Sequence, residues 1–284
     1  MPGSRIACLS SCGVLLLVAG CGGDDGGGGG PSALRAPAAT TAATAPGLCG
    51  PLRPQALGRV RGGNVSELSG LTRTSDGRLF AIEDSGNSAT VIAMRRDGRV
   101  LRRIPVPGAQ NVDWEDLAAR GRELFVADIG DNATTRPSIE IYRPGRSTLV
   151  LRYPDTPHDA EALLVDPLRD QLLVVTKGLL DARVYSGHLR SGTLRRGARL
   201  AFGLVTAGAV SSDGRTVALR SYDTLAVWRR RGREPLTRTL TREPCVSPTS
   251  LARESQGEAL ALDGDAVLTA PEGRDPVLTR WSPR

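Results

Sequence analysis

The phrase Glu67-Leu-Ser-Gly-Leu recurs along the chain as Glu115-Asp-Leu-Ala-Ala, Glu161-Ala-Leu-Leu-Val and Glu258-Ala-Leu-Ala-Leu. A fifth version, Ala207-Gly-Ala-Val-Ser, has no acidic residue. The intervals between successive phrases are 48, 46, 46 and 51 residues. A period of this length is typical of one four-stranded blade of a β-propeller. The repeat therefore predicts an all-β, ring-shaped fold.

Each repeat contains the same order of strands and turns. In the first repeat, strands flank the turns Ser75-Asp76-Gly77 and Arg96-Asp97-Gly98, and no segment of the chain has a helical period. The last repeat shows only three strands, so we expect the segment from Ala56 to Arg61 to supply the fourth and close the ring. This arrangement predicts five blades. Six blades is the alternative, if the longest interval contains an irregular blade.

The first residues have the features of a bacterial lipoprotein signal. Arg5 precedes an apolar run, and the small residues Ala19 and Gly20 stand before Cys21. Residues 1–20 are therefore predicted to be a signal peptide, Cys21 the lipidated residue, and 21–55 a Gly, Ala, Thr and Pro tether before a propeller of residues 56–284. The alternative is an ordinary secretory signal. We expect a monomer attached by lipid to the extracytoplasmic face of the cell membrane.

The cysteines are consistent with an oxidising compartment. Cys8 and Cys12 fall within the predicted signal peptide and Cys21 would carry lipid, which leaves Cys49 and Cys245. This pair predicts one disulfide, with two buried free thiols as the alternative.

The charge composition argues against a nucleic-acid partner. The formal net charge is +7, but Lys177 is the only lysine and the arginines are scattered along the chain. Nucleic-acid-binding proteins usually concentrate basic residues on one face, together with aromatic residues.

The predicted ring brings acidic residues together at one mouth of its axis. The inner strand of a blade starts on the rim where the antiparallel second strand ends. Residues from both places therefore share this mouth. The candidate ligand-binding residues are Asp84, Asn87, Asp113, Asp128, Asp131, Asn132, Lys177, Arg220 and Glu272, and the glutamates are Glu67, Glu115, Glu161 and Glu258.

Carboxylates crowded in this way need neutralisation. Ca²⁺ or another divalent cation, the bases Lys177 and Arg220, or bound protons could supply it. Each glutamate could instead accept hydrogen bonds from the backbone of the next blade, and the Asn and Asp residues could simply form turns. His158, beside Asp159 and near Glu161, is a candidate general base activated by a carboxylate, and Glu161 is a second candidate catalytic residue, near the cation. The alternative for His158 is a loop ion pair.

The phrases Val112-Asp-Trp-Glu-Asp-Leu, Asp128-Ile-Gly-Asp-Asn, Asp159-Ala-Glu-Ala-Leu and Gln256-Gly-Glu-Ala resemble those of a group of secreted bacterial propellers, mostly uncharacterised. More distantly, the inner strands resemble those of gluconolactonase-type, phytase-like and TolB-type propellers. The gluconolactonase resemblance implies a divalent metal at the axial mouth, with Glu67, Glu115, Glu161 and Glu258 as candidate ligands. Ala207, Lys177 and Arg220 depart from that pattern.

Two functions are consistent with these observations. One is a cell-surface lipoprotein whose propeller binds a ligand or protein partner at the acidic mouth. The other is a divalent-metal-dependent hydrolase of esterase, lactonase or phosphoesterase type.

Overall fold

A computed structural model describes residues 47–247, 251 and 254–284. The predicted signal peptide, the lipid site at Cys21 and the tether up to residue 46 lie outside the described residues. No helix in the described part of the chain is both long and apolar enough to cross a membrane.

The described residues form five small sheets, which are the five blades of a β-propeller; the strands within each blade are antiparallel, and only the added β13 pairs in parallel. The first strand of the chain, β1 (Leu52–Arg59), belongs to the last blade. Blade 1 consists of β2 (Leu68–Arg73), β3 (Leu79–Glu83), β4 (Thr90–Met94) and β5 (Val100–Pro105). Blade 2 consists of β6 (Trp114–Arg120), β7 (Glu123–Asp128), β8 (Ile139–Tyr142) and β9 (Leu149–Arg152).

Blades 3 to 5 follow the same order. Blade 3 contains β10 (Ala160–Val165), β11 (Leu172–Thr176), β12 (Ala182–Gly187) and β14 (Arg195–Leu200); the short β13 (Gly192–Thr193) adds to the edge of blade 2. Blade 4 contains β15 (Val205–Val210), β16 (Thr216–Ser221), β17 (Leu225–Arg229) and β18 (Cys245–Val246), with the short helix α1 (Leu236–Thr239) before β18. Blade 5 contains β19 (Gly257–Asp263), β20 (Ala266–Pro271) and β21 (Val277–Pro283).

The ring closes through the N-terminal strand, as the sequence predicts. β1 pairs with β21 from Leu52 opposite Pro283 to Arg59 opposite Val277. This strand begins at Leu52, earlier than the Ala56 at which the sequence analysis places it. Five blades are confirmed, and the longest repeat interval contains the connection from β17 to β19 rather than a sixth blade.

A disulfide joins Cys49 to Cys245, with their Cα atoms 5.5 Å apart, so the alternative of two free thiols is wrong. The bond ties the segment before β1 to β18 of blade 4 across 196 residues of sequence. A cross-link that closes so long a loop stabilises the folded state by about 5 kcal/mol on the chain-entropy estimate.

Apolar inner strands and a few buried polar groups hold the blades around the axis. Every residue of β10 is buried, and Gly70 lies so close to blade 2 that a Cβ there would be 2.5 Å from the Leu117 nitrogen. The fully buried carboxylate of Asp116 accepts hydrogen bonds from the backbone N–H groups of Leu117, Leu163 and Gly208. Asp116 therefore connects blades 2, 3 and 4, which fixes the spacing of the inner strands.

Candidate functional site

The strand register builds the predicted acidic mouth. At the start of each inner strand one residue bulges out of the ladder. In blade 2, Trp114 pairs with Asp128 and Asp116 pairs with Ala127, so Glu115 is the extra residue. By the same register Glu161, Thr206 and Glu258 are the extra residues of blades 3, 4 and 5. A bulge changes the direction of a side chain. Because the bulges recur around the ring, they bring the bulge residues of several blades to the same mouth.

The bulges correct the sequence alignment of two blades. In blade 1 the bulge lies at Ser69 and Gly70, after the exposed Glu67, and in blade 4 it lies at Thr206 rather than Ala207. The hydroxyl of Ser69 donates to the Glu115 carbonyl oxygen, and that of Thr206 donates to the Gly257 carbonyl oxygen. In blades 1 and 4 the bulge therefore carries a hydroxyl residue that bonds to the next blade. In the other three blades a glutamate occupies the bulge position.

Three carboxylates converge between blades 1 and 2. Asp84, Asp113 and Glu115 each bring one oxygen to within 4.8 Å of the others. Asp84 follows β3, Asp113 precedes β6, and Glu115 is the bulge residue. Gly130 provides the space, because a Cβ there would be 2.3 Å from Glu115 Oε1 and 2.5 Å from Asp113 Oδ2. We call these three residues the carboxylate triad.

Ionisation of the carboxylate triad is disfavoured. Burial raises the pKa of Glu115, and the charges of Glu161, Asp84 and Asp113 raise it further. Burial, followed by neighbouring carboxylates, also raises the pKa of Asp113, and burial is the largest cause of the raised pKa of Asp84. Such a group either holds protons or binds a cation.

Glu161 extends the triad towards blade 3. Its Oε1 atom forms an ion pair with Lys177 Nζ at 2.5 Å, whereas Oε2 is buried and has no hydrogen-bond partner. Burial raises the pKa of Glu161 against the opposing effect of Lys177. Burial favours the neutral amine of Lys177, but Glu161 raises the pKa of this lysine overall. Lys177 therefore neutralises one oxygen of Glu161 and leaves the other available.

A second pair of carboxyl groups lies on the blade 5 side of the mouth. The Tyr222 hydroxyl donates to Glu258 Oε1 at 3.4 Å, and Lys177 Nζ lies 5.7 Å from the centre of the Tyr222 ring. Burial, then hydrogen bonding to Glu258, raises the pKa of Glu272 to about 8. Burial also raises the pKa of Glu258. At neutral pH this pair therefore retains a proton.

Several of the predicted ligand-binding residues support the loops around the mouth. Asp128 is buried, pairs with Arg136 at 2.7 Å and accepts the N–H groups of Val112 and Asp113. Asp131 accepts the N–H groups of Thr135 and Arg136. The contacts of Asp128 hold Asp113 in place, and those of Asp131 hold the loop that carries Arg136.

The remaining predicted ligand-binding residues differ in exposure. Asn87 donates to Glu67 Oε2 at 2.6 Å, and Asn132 is exposed. Arg220 is fully buried and pairs with Glu254 at 3.0 Å, although its Nη2 atom has no partner. The buried guanidinium of Arg220 therefore compensates the charge of Glu254.

His158 lies in an aromatic cluster of blade 3. Its Nε2 atom is 3.0 Å from Asp155 Oδ1 and 2.6 Å from the Tyr185 hydroxyl, and its ring is edge-on to Tyr153. These contacts join His158 to Asp155 and Tyr185 instead of Asp159 or Glu161. They correspond to the ion-pair alternative for this residue; its role as a general base stays a prediction.

Sequence reasoning missed Gly130, Tyr222 and the role of Asp116. Asp116 stands within a repeat phrase and Gly130 within a phrase that carries the family resemblance, but their contacts cross from one blade or loop to another. Tyr222 follows β16 directly, as Lys177 follows β11. This shared position after the second strand is the one sequence signal that could have indicated Tyr222.

The fold and the carboxylate triad define a five-bladed propeller with a partly buried group of carboxylates at one axial mouth. No protein-family model matches the sequence, and no curated protein matches it. Among solved structures, glutaminyl cyclase from Myxococcus xanthus is similar with a TM-score of 0.53 and 12% identity, over 82% of this chain and 99% of that one. A chain of a nidogen/laminin complex has a TM-score of 0.51 and 15% identity, over 73% of each chain.

A gluconolactonase from Xanthomonas campestris is also similar, with a TM-score of 0.49 and 14% identity, over 82% of this chain and 90% of that one. At these identities the likeness concerns the fold alone. The neighbours are propeller-like proteins, as the distant resemblance in the sequence implies.

Proposed function

We propose that the protein is a cell-surface binding propeller that holds a divalent cation, Ca²⁺ in the first instance, in the carboxylate triad, and binds its ligand or protein partner across the acidic mouth. The observation that carries the proposal is the convergence of Asp84, Asp113 and Glu115 oxygens within 4.8 Å. Hard cations such as Ca²⁺ prefer oxygen ligands of this kind.

Two further observations support a cation at this site. Glu161 Oε2, which is buried and unpartnered, belongs to a side chain whose charge acts on Glu115. Gly130 leaves open the space beside Glu115 and Asp113 that a side chain would fill. A bound cation would supply the positive charge that these buried oxygens lack. Glu67 and Glu258 remain predicted ligands outside the triad.

The location and the partners are part of the same proposal. A lipid on Cys21 would attach the protein to the extracytoplasmic face of the cell membrane, and residues 21–55 would act as a tether. The Cys49–Cys245 disulfide supports an oxidising compartment. We propose a monomer with no nucleic-acid partner.

Calcium titration of the purified full chain tests the triad. We expect calorimetric binding of Ca²⁺ and an increase in melting temperature, because a ligand that binds only the folded state stabilises it. Glu115→Gln should weaken binding by about tenfold or more, since it removes a carboxylate ligand. The matched control Glu243→Gln changes an exposed glutamate and should bind normally. Equal affinities of the two variants, or no binding of Ca²⁺, Mn²⁺ or Zn²⁺, would contradict the proposal.

A metal-dependent hydrolase is the second candidate. It is favoured by the Glu258 and Glu272 pair, because a carboxyl group with a pKa of about 8 can act as a general acid near neutral pH. Glu161 and His158 would be the other catalytic candidates. The metal-loaded protein should then hydrolyse esters, lactones or phosphoesters, and Glu272→Gln should reduce kcat without changing metal affinity. An unchanged kcat in that variant would contradict the hydrolase function. So would the absence of turnover of esters, lactones and phosphoesters by the metal-loaded protein, and binding would then be the favoured function.

A further inference from the structure

The rim opposite the acidic mouth carries both acidic and basic residues, and on blade 3 it carries a group of arginines. We call it the lower rim; the inner strands end there, β12 ends there and β14 begins there. On blade 3 this rim carries Arg190, Arg195 and Arg196 close together in the sequence. The propeller thus has acidic groups at one end of blade 3 and basic groups at the other.

These arginines line a concave cleft of about 740 Å³. Its walls are the end of β12, the 188–193 loop, the start of β14 and the segment from Pro235 to Thr237. The three arginines bring cationic groups to the cleft; Asp170 Oδ2 lies 3.6 Å from His188 Nδ1, but none of the described residues that line the cleft is a carboxylate. We call it the arginine cleft.

The charge of the arginine cleft is largely uncompensated. Arg190 and Arg195 are exposed and form no ion pair within the described part of the chain, and Arg196 reaches Asp155 only at 3.9 Å. Arg190 and Arg195 line the same concave surface, and guanidinium groups there raise the local positive potential and attract anions. No described residue therefore provides a counter-charge at Arg190 or Arg195.

The loop that carries Arg190 is held in place by blade 2. β13 pairs with β9, and the Val150 N–H donates to the Ser191 hydroxyl at 2.9 Å. His188 Nδ1 contacts the Asp170 carbonyl oxygen at 3.0 Å. These contacts anchor the loop on both sides of Arg190, so its arginine is presented from a fixed backbone. Pre-organisation of this kind reduces the entropy cost of binding.

Hydroxyl groups supplement the guanidinium groups. Ser186, Thr193 and Thr237 also line the cleft, and hydroxyls can donate hydrogen bonds to anionic oxygens. One guanidinium group can donate two parallel, charge-assisted hydrogen bonds to two oxygens of a phosphate. We propose that the arginine cleft is a second binding site, separate from the acidic mouth, that takes a phosphate-type oxyanion, either free in solution or on the headgroup of an anionic lipid.

The position of β1 is the structural reason to consider a lipid headgroup as the source of the oxyanion. β1 starts on the lower rim, because it lies antiparallel to β21 and is the outer strand of blade 5. The chain that leads towards the proposed lipid site at Cys21 therefore joins the propeller on the rim that carries the arginine cleft. The vesicle experiment below therefore rests on the proposed lipid anchor of the protein. The phosphate experiment on the cleft does not depend on that anchor.

Two probes test the proposal on the full chain: inorganic phosphate by calorimetric titration, and vesicles of phosphatidylglycerol compared with vesicles of phosphatidylcholine by sedimentation. The variant Arg190→Gln/Arg195→Gln should bind phosphate, or the phosphatidylglycerol vesicles, about tenfold or more weakly. The matched control Arg53→Gln/Arg102→Gln removes the same charge from exposed positions outside the cleft and should bind normally. Added NaCl should weaken the binding.

Each outcome has one meaning. Phosphate binding that the cleft variant loses supports a soluble oxyanion, and loss confined to phosphatidylglycerol vesicles supports a lipid headgroup. The proposal is overturned if neither probe binds, or if the cleft and control variants bind equally. Calcium titration of the cleft variant separates this result from the proposed function, because the acidic mouth should be unaffected.

Discussion

Glu115 and Asp116 are neighbours in the chain and both are buried, yet their carboxylates have opposite surroundings. Asp116 accepts three backbone N–H groups from the inner strands of blades 2, 3 and 4. Within the described residues no N–H or hydroxyl group donates to the Glu115 side chain, which faces Glu161, Asp84 and Asp113 instead. The Asp116 carboxylate is thus a structural hydrogen-bond acceptor. The negative charge of Glu115 is not compensated unless a proton or a cation binds.

The difference follows from the bulge at the start of β6. Glu115 is the extra residue in the ladder, and Asp116 resumes the pairing opposite Ala127. Consecutive side chains of a strand point to opposite sides. The bulge therefore turns Glu115 towards the mouth while Asp116 reaches across the inner strands. In many proteins the groups of a functional site are destabilising, and interactions in the surrounding scaffold compensate for this loss of stability.

The largest expected effect is that of Asp116→Ala on stability. Removal of the carboxylate leaves three buried N–H groups without an acceptor, so the free energy of unfolding should fall by about 3 kcal/mol or more. Denaturation by guanidinium chloride at pH 8 measures the change. Asp116→Asn, which retains one acceptor oxygen, should lose less. A loss below about 1 kcal/mol for the alanine variant would show that Asp116 does not join the blades.

The pH dependence of stability should have an unusual direction. Burial, opposed by backbone hydrogen bonds, raises the pKa of Asp116 to about 7, and Glu272 reaches about 8. The folded state therefore binds more protons than the unfolded state from about pH 4 to pH 8, so stability falls as pH rises through this window.

Melting temperatures in chelator at pH 5 and pH 8 measure this effect, and we expect a drop of about 5 °C. Added Ca²⁺ should recover the part that comes from the mouth, and Glu272→Gln should reduce the slope. A melting temperature that rises from pH 5 to pH 8 in chelator would contradict these assignments.

The smallest expected effect is that of Glu115→Gln on the cation-free protein. Because its raised pKa keeps Glu115 protonated when no cation is bound, the neutral glutamine should change the free energy of unfolding by less than about 1 kcal/mol. Ca²⁺ should no longer raise the melting temperature of this variant. Glu67→Gln, at an exposed position, should stay within about 0.5 kcal/mol of the original protein. If Glu115→Gln is destabilising in chelator, Glu115 is a structural residue like Asp116.

Much of the fold could be predicted from the sequence because the repeat is periodic. The spacing of the Glu-led phrases, the missing last strand and the two remaining cysteines predicted the blades, the closure and the disulfide. The exact alignment of blades 1 and 4 could not be predicted in this way. Ser69 and Thr206 take the place of the glutamates there, and their hydroxyls serve the same inner position by bonding to the next blade.

The site could be predicted only in part. The sequence indicated that acids would gather at one mouth, and Asp84, Asp113 and Glu115 do so. It did not distinguish them from Asp128 and Asp131, which support loops, or from Arg220, which is buried against Glu254. All are polar residues at or next to strand ends, and their roles depend on which hydrogen-bonding partners the folded loops bring to them.

The sequence by itself determined the periodic strands, the ring and the end of the ring at which the acidic residues gather, because these follow from local patterns repeated along the chain. Only the tertiary structure decided which carboxylates are satisfied and which are not. That distinction depends on contacts between blades, such as Asp116 with Gly208 and Glu115 with Gly130. A bulge of one residue changes the direction of a side chain without changing the hydrophobic pattern that encodes the strand.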